Sequence, residues 1–270
     1  MNPDQIALLT LHGKAEALEP LARELGLSLV VDEGYDTDQL GTFTGETARA
    51  GTQVEAAARK ARLACERNGT RYGLGSEGSF GPDPYLGSVP WGIEVVVWYD
   101  ALLQVQVHAA HQGPDVCWRQ QSVASVADGM AFAQSVGFPA QGVIVGKPGE
   151  PVFDKNLRDA DALRLALQQG LRGGPVWMET DLRAHRNPLR MQAIARAGMA
   201  LGQRLAQRCP GCGARGFGPV RLLPGARCDC CGHPTSNARA QLLECPGCGH
   251  TELQNLREIV PASRCERCNP

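Results

Sequence analysis

The chain has 270 residues, 43% of them hydrophobic, enough for about two domains and a substantial core. Its 27 basic and 28 acidic residues leave a formal charge of -1, so no overall field draws it to nucleic acid or to an anionic membrane surface. No run reaches the roughly 18 consecutive apolar residues of a membrane span, and Met1-Asn2-Pro3-Asp4-Gln5 lacks the positive region of a secretory signal, so a cytoplasmic protein with reduced thiols and no membrane partner is expected.

Residues 6–9 and 27–31 are apolar runs that predict buried strands, with a helix over 14–25 between them. A long helix is expected over 48–67, stopped by Gly69. Strands follow at 72–74, 93–99 and 102–107, the last two as a hairpin through Asp100-Ala101. A helix over 123–136, a strand at 142–145, a Gly/Pro-rich loop over 146–155, a helix over 159–170 and a short strand at 176–178 complete the alternation. The last long helix covers 190–207, with Asn187 as N-cap and Pro188 at its first position. This order predicts an α/β fold, a mixed central sheet flanked by helices, over residues 1–207.

Nine of the eleven cysteines stand at or beyond Cys209, which marks a second region over 208–270. Cys209-x-x-Cys212 is followed after fifteen residues by Cys228-x-x-Cys231, and Cys245-x-x-Cys248 after sixteen by Cys265-x-x-Cys268. Each consecutive pair of knuckles has zinc-ribbon spacing, so two small β modules, 208–235 and 244–270, are expected, each holding one structural zinc on four thiolates. Cys230 is left over, and His233 and His250 read as surface residues. From Arg208 onward there are eight arginines, no lysine, five acidic residues and one aromatic, Phe217. That balance favours docking or an interface over nucleic-acid binding, and a homodimer is a candidate assembly.

Three clusters in the larger region can carry chemistry. Thr10-Leu11-His12-Gly13-Lys14 joins the first strand to the first helix, where free N–H groups, a positive dipole end and a lysine suit a phosphate. Asp36 and Asp38, before a Gly-rich stretch containing Glu46, and Ser76-Glu77-Gly78-Ser79, read as a loop after the third strand, place carboxylates where they can hold Mg²⁺ beside substrate phosphates. Asp181, Arg183, His185 and Arg186 gather before the last helix, able to bind an anion or stack on a base. His108 and His111, at a strand end without a carboxylate in ligand spacing, read as surface histidines rather than a zinc site.

In this order the clusters resemble those of the inosine triphosphate pyrophosphatase superfamily, which includes the Maf group, over residues 5–205. Thr10, His12 and Lys14 fall near the family's Ser/Thr-x-Asn-x-x-Lys turn; Glu46 precedes a helix motif matched by Thr52, Glu55, Ala56, Ala57, Lys60 and Ala61; Ser76-Glu77-Gly78-Ser79 stands for the acidic loop and His185-Arg186 for the Ser-His-Arg turn. His12 replaces the family's first Asn and Ala56 its helix Asn, and the Gly-rich loop that frames the base is not found. The resemblance implies that Lys14 and Lys60 contact phosphate, that Glu46 and Glu77, with Glu55, hold Mg²⁺ and orient water, that Thr10, His12, Ser76, Ser79, Asp181 and Arg183 line the substrate, and that His185 and Arg186 meet the base. The implied reaction is hydrolysis of a nucleoside triphosphate or related phosphoanhydride. The whole chain also resembles an uncharacterised bacterial family.

Overall fold

The computed structural model describes residues 1–35, 51–146 and 153–270. The chain divides into two compact units, Met1–Leu201 and Gly202–Pro270. No helix among the described residues is long and apolar enough to cross a membrane.

The first unit is mixed α/β. Its main sheet contains β1 (Asn2–Leu9), β2 (Ser28–Asp32), β3 (Thr70–Pro82), β4 (Pro90–Asp100) and β5 (Val105–Gly113) in the order β2-β1-β3-β4-β5. β1 pairs in parallel with β2 and β3, joined by helices α1 (Ala15–Glu24) and α2 (Gln53–Asn68), whereas β3, β4 and β5 form an antiparallel meander. α2 begins with a capping box: Thr52 Oγ1 accepts from Glu55 N–H, and the Glu55 carboxylate accepts from Thr52 N–H at 2.6 Å. Gly69, at φ +63°, ends it in the left-handed conformation.

The expectation of a loop at Ser76-Glu77-Gly78-Ser79 is corrected: these residues lie inside β3, which is thirteen residues long. The glycines there serve close packing, not a turn. A Cβ on Gly75 would lie 1.9 Å from Ala57 O, and one on Gly73 would lie 2.1 Å from Ala61 O. α2 therefore presses its Ala57-Ala61 stripe directly onto the backbone of β3, closing a core with Val95, Val97 and Tyr99 of β4. Gly75→Ala is expected to lower stability by about 2–3 kcal/mol, because backbone rather than a flexible side chain blocks the methyl group. Chemical denaturation checks this, and an unchanged midpoint would show that the helix does not rest on this strand.

The β4–β5 turn spans 101–104 instead of Asp100-Ala101, since the buried Asp100 carboxylate accepts from Leu102 and Leu103 N–H while pairing with Arg71 at 2.7 Å. His108 and His111 consequently sit within β5, not at a strand end.

A second, wholly antiparallel sheet replaces part of the single sheet expected. Its order is β6-β9-β7-β8, from β6 (Gln120–Val123), β7 (Val143–Gly146), β8 (Phe153–Asp154) and β9 (Val176–Thr180). α3 (Val126–Val136) and α4 (Ala160–Gly170) pack on it around Phe132, Leu163, Leu167 and Met178. α5 (Pro188–Ala206) starts with Asn187 Oδ1 accepting from Arg190 N–H at 3.0 Å, and comes close enough to α1 at Gly198 that a Cβ would lie 3.1 Å from Leu18 Cδ2.

The second unit contains β10 (Gly218–Pro224), β12 (Ala238–Glu244) and β13 (Thr251–Asn255) as an antiparallel sheet, and β11 (Arg227–Cys228) paired in parallel with β14 (Ile259–Val260).

Candidate functional site

β1 ends at Leu9 while its neighbour β3 continues to Pro82, which leaves the edge of β3 without β1 as a partner beyond the carboxyl end of β1. Ligand sites of open α/β sheets form at such places. The chain leaving β1 turns there: Thr10 Oγ1 accepts from His12 N–H at 3.2 Å, Gly13 takes φ +66°, and Lys14 opens α1 with no side chain capping the helix. The Lys14 ammonium is buried and donates to Ser76 Oγ at 2.9 Å and Ser76 O at 3.3 Å, so the sequence-predicted Thr10, His12, Lys14 and Ser76 do converge.

Alternation along β3 sends Glu77 to the opposite face, under α2, where it pairs with Lys60 Nζ at 2.5 Å; the two side chains are only 4% and 8% exposed. Gln53, at the start of α2, holds this stretch by donating to Glu77 O and Ile93 O. Ser79 lies further along β3, partly buried, opposite Ile93. Glu46, Asp36 and Asp38 lie outside the described residues. Glu55 is exposed, and one oxygen of its carboxylate, Oε2, accepts from Thr52 N–H and Oγ1 in the capping box of α2.

Beside Lys14, Glu94 of β4 and Arg190 of α5 form an ion pair at 2.6 Å with each side chain 1% exposed, and the Arg190 guanidinium lies over the Phe80 ring. Only a glycine fits opposite: a Cβ on Gly78 would meet Glu94 Oε1 at 2.3 Å. Burial, with Arg190 and Lys60 adding like charge, lowers the Lys14 pKa to about 7, against the opposing pull of Glu94 and Glu77. Glu94 is the residue the sequence analysis leaves out; a lone carboxylate inside the apolar run of β4 is its one signal.

The turn before α5 is locked from below. Asp181 is fully buried and receives Arg183 Nε at 3.1 Å and Nη2 at 2.7 Å. Gly142 N–H donates to Arg186 O and Asp181 N–H to Gly142 O, an approach so close that a Cβ on Gly142 would lie 2.9 Å from the Cβ atoms of both Asp181 and Arg186. The His185 ring stacks on His12 at 5.3 Å, which joins this turn to the Lys14 cluster; burial and His12 lower the His185 pKa.

In the second unit the eight expected cysteines do form two four-sulfur groups able to hold two zinc ions, but their membership is corrected. Cys209 and Cys212 group with Cys245 and Cys248, and Cys228 and Cys231 with Cys265 and Cys268. The strand directions dictate this interleaving. Antiparallel pairing of Gly218 with Glu244 brings the knuckles flanking β10 and β12 to one end of the sheet. The other two, beyond Pro224 and beyond β13, are drawn together at the opposite end by β11 and β14. A seven-residue strand spans about 20 Å, too far for consecutive knuckles to share one ion. Two sequential ribbons are thus excluded.

The sulfurs fit a tetrahedron. Cys209–Cys248, Cys212–Cys245, Cys228–Cys268 and Cys231–Cys265 are 3.7, 3.6, 3.8 and 3.8 Å apart, close to the roughly 3.8 Å edge set by Zn–S bonds of ~2.3 Å. Gly211 and Gly247 N–H donate to Cys209 and Cys245 Sγ at 3.3 Å, and Gly213, Gly232 and Gly249 take φ of +74°, +68° and +72° to turn the chain back over each knuckle. Four thiolates leave no open coordination position, which suits a structural metal.

A mixed α/β unit with a buried charge cluster, followed by paired four-cysteine centres, is the class of protein these features define. The chain belongs to the family described as "Domain of unknown function (DUF6671)", whose model matches residues 60–270 and so takes in Lys60, Glu77, Glu94, the Asp181–Arg190 stretch and every cysteine of the two centres. No curated protein and no solved structure matches the chain.

Proposed function

We propose that the first unit is a Mg²⁺-dependent hydrolase of a nucleoside triphosphate or a related phosphoanhydride, similar to the inosine triphosphate pyrophosphatases, and that the second unit is a zinc-stapled docking module. The observation that carries this reading is the burial of five charged groups along β3 beyond the end of β1, Lys14, Glu94 and Arg190 on one face and Lys60 and Glu77 on the other. Buried charges are costly, and their concentration where an α/β sheet binds ligands fits a site better than a core.

In this reading Lys14 and the uncapped start of α1 receive phosphate oxygens. Phosphate binding favours the protonated lysine, so the low pKa of Lys14 makes the site responsive to an anion. Lys60, paired with Glu77 beneath α2, would reach the phosphate chain from that side. Glu77 would supply a carboxylate to Mg²⁺, with Glu46 as a second, and the metal would neutralise charge on the transferred phosphoryl group. The His12–His185 stack and Arg186 border the far end of the substrate.

The test is pyrophosphate or phosphate release from a panel of nucleoside triphosphates and inorganic oligophosphates with Mg²⁺. Glu77→Gln is expected to lower the rate by about 100-fold or more while leaving the fold intact by circular dichroism. Equal rates for the variant and the wild type would remove the hydrolase reading. The tight Lys60–Glu77 pair favours a second reading, a ligand sensor without turnover, which the same panel distinguishes through binding without release.

A further inference from the structure

Lys155, Asn156, Arg158, Arg183, His185 and Arg186 line an open cleft of about 330 Å³. Its His185 wall adjoins the turn that carries Lys14: the ring stacks on His12, and His185 Cβ lies 3.5 Å from where a Cβ of Gly13 would stand. Four of the six lining residues are cations, all six carry N–H donors, and none is a carboxylate, phenylalanine, tyrosine or tryptophan.

The cations are positioned rather than scattered. Arg183 is clamped by the buried Asp181 carboxylate and also donates to Lys155 O, while Arg186 Nη2 donates to Leu157 O at 2.5 Å. These bonds tie the Lys155–Leu157 backbone to the turn before α5 and fix two arginines in the wall of the cleft. Asp181 offsets the charge of Arg183, and the lining stays predominantly cationic.

A nucleobase asks for an aromatic or apolar face on which to stack and for one or two polar groups at its edge. Among the lining residues the one aromatic ring, His185, is already stacked on His12, and the rest of the wall is fork-rich and cationic, suited to phosphate oxygens. We infer that it binds a second phosphate group of the ligand, so that the substrate is anionic at both ends. An oligophosphate, or a phosphoanhydride bearing a further phosphate, fits, rather than a nucleoside triphosphate selected by its base. That the ligand is a substrate rests on the hydrolase reading above; that it is anionic here rests on the cleft alone.

Titration calorimetry of the zinc-loaded full chain with inorganic tripolyphosphate tests it. Saturable binding is expected, weakened about tenfold or more by the exposed-site change Arg158→Glu and comparably by Lys155→Ala, with the unliganded melting temperature unchanged. Nucleoside triphosphates differing in base should bind within about threefold of one another. No binding of tripolyphosphate, wild-type affinity in both variants, or a preference for one base above about tenfold would overturn the inference. Arg158-dependent binding without hydrolysis sinks only the hydrolase reading; base-selective hydrolysis sinks only this one.

Discussion

A Cys212→Ser/Cys248→Ser variant is expected to keep one zinc ion per chain, and a Cys212→Ser/Cys231→Ser variant none. In the interleaved arrangement Cys212 and Cys248 belong to one sulfur group, whereas Cys231 belongs to the other. Two sequential ribbons would give the reverse result, so zinc counted by mass spectrometry on the purified variants decides between them. Chelation of both ions should go further and collapse the second unit. Its outer β13 is exposed along its whole length and its core is small, around Phe217, Ala226, Ala240 and Val260. Structural zinc sites of four thiolates contribute on the order of 10 kcal/mol to folding, more than so small a core supplies.

The knuckles themselves are fully legible in the sequence, and their pairing is not, because spacing alone does not say which neighbours meet. Thirteen to sixteen residues separate consecutive knuckles, so every gap is long enough for a ribbon. A different signal lies in the knuckles' wording. Cys209-Pro210-Gly211-Cys212-Gly213 returns as Cys245-Pro246-Gly247-Cys248-Gly249, and it is these like copies that form one four-sulfur group. The repeat reflects two equivalent halves whose antiparallel strands place equivalent ends side by side.

Helices of the first unit are read closely where a cap is recognised, as Gly69 and Asn187 show, whereas α2 starts at Gln53 behind the capping box of Thr52 and not at residue 48. β3 fails for a physical reason: its glycines answer to the surface of α2, a demand made at long range, and locally they look like a loop. The second sheet is missed because β6 and β8 are four and two residues long. In the candidate site Lys14 meets Ser76 and His12 meets His185; the turns carrying His12, Lys14 and His185 are legible as strand and helix ends, while Ser76 is reached from inside β3. The pairings that set their electrostatics, Lys60 with Glu77 and Arg190 with Glu94, follow from which face each side chain takes.

Lys14→Met is expected to make the protein more stable than the wild type near pH 6, with the advantage fading as pH rises toward 10. Burial lowers the folded-state pKa of Lys14 from 10.5 to about 7, so between those values the unfolded chain holds a proton that the folded chain does not. Stability therefore rises with pH across that window; below it, the full cost of keeping a charged ammonium buried is present. The change between pH 6 and pH 10 amounts to about 4 kcal/mol, and subtracting the variant's melting curve from that of the wild type cancels the other titrating groups. A pH-independent difference would mean that the ammonium is solvated and the cluster open. A residue whose removal stabilises the fold while abolishing tripolyphosphate binding is being kept for its charge, since methionine fills the same space without the desolvation penalty. The Ser76 carbonyl and hydroxyl, which Lys14 now satisfies, lose their donor in the variant, so the gain at pH 6 falls short of the whole titration effect.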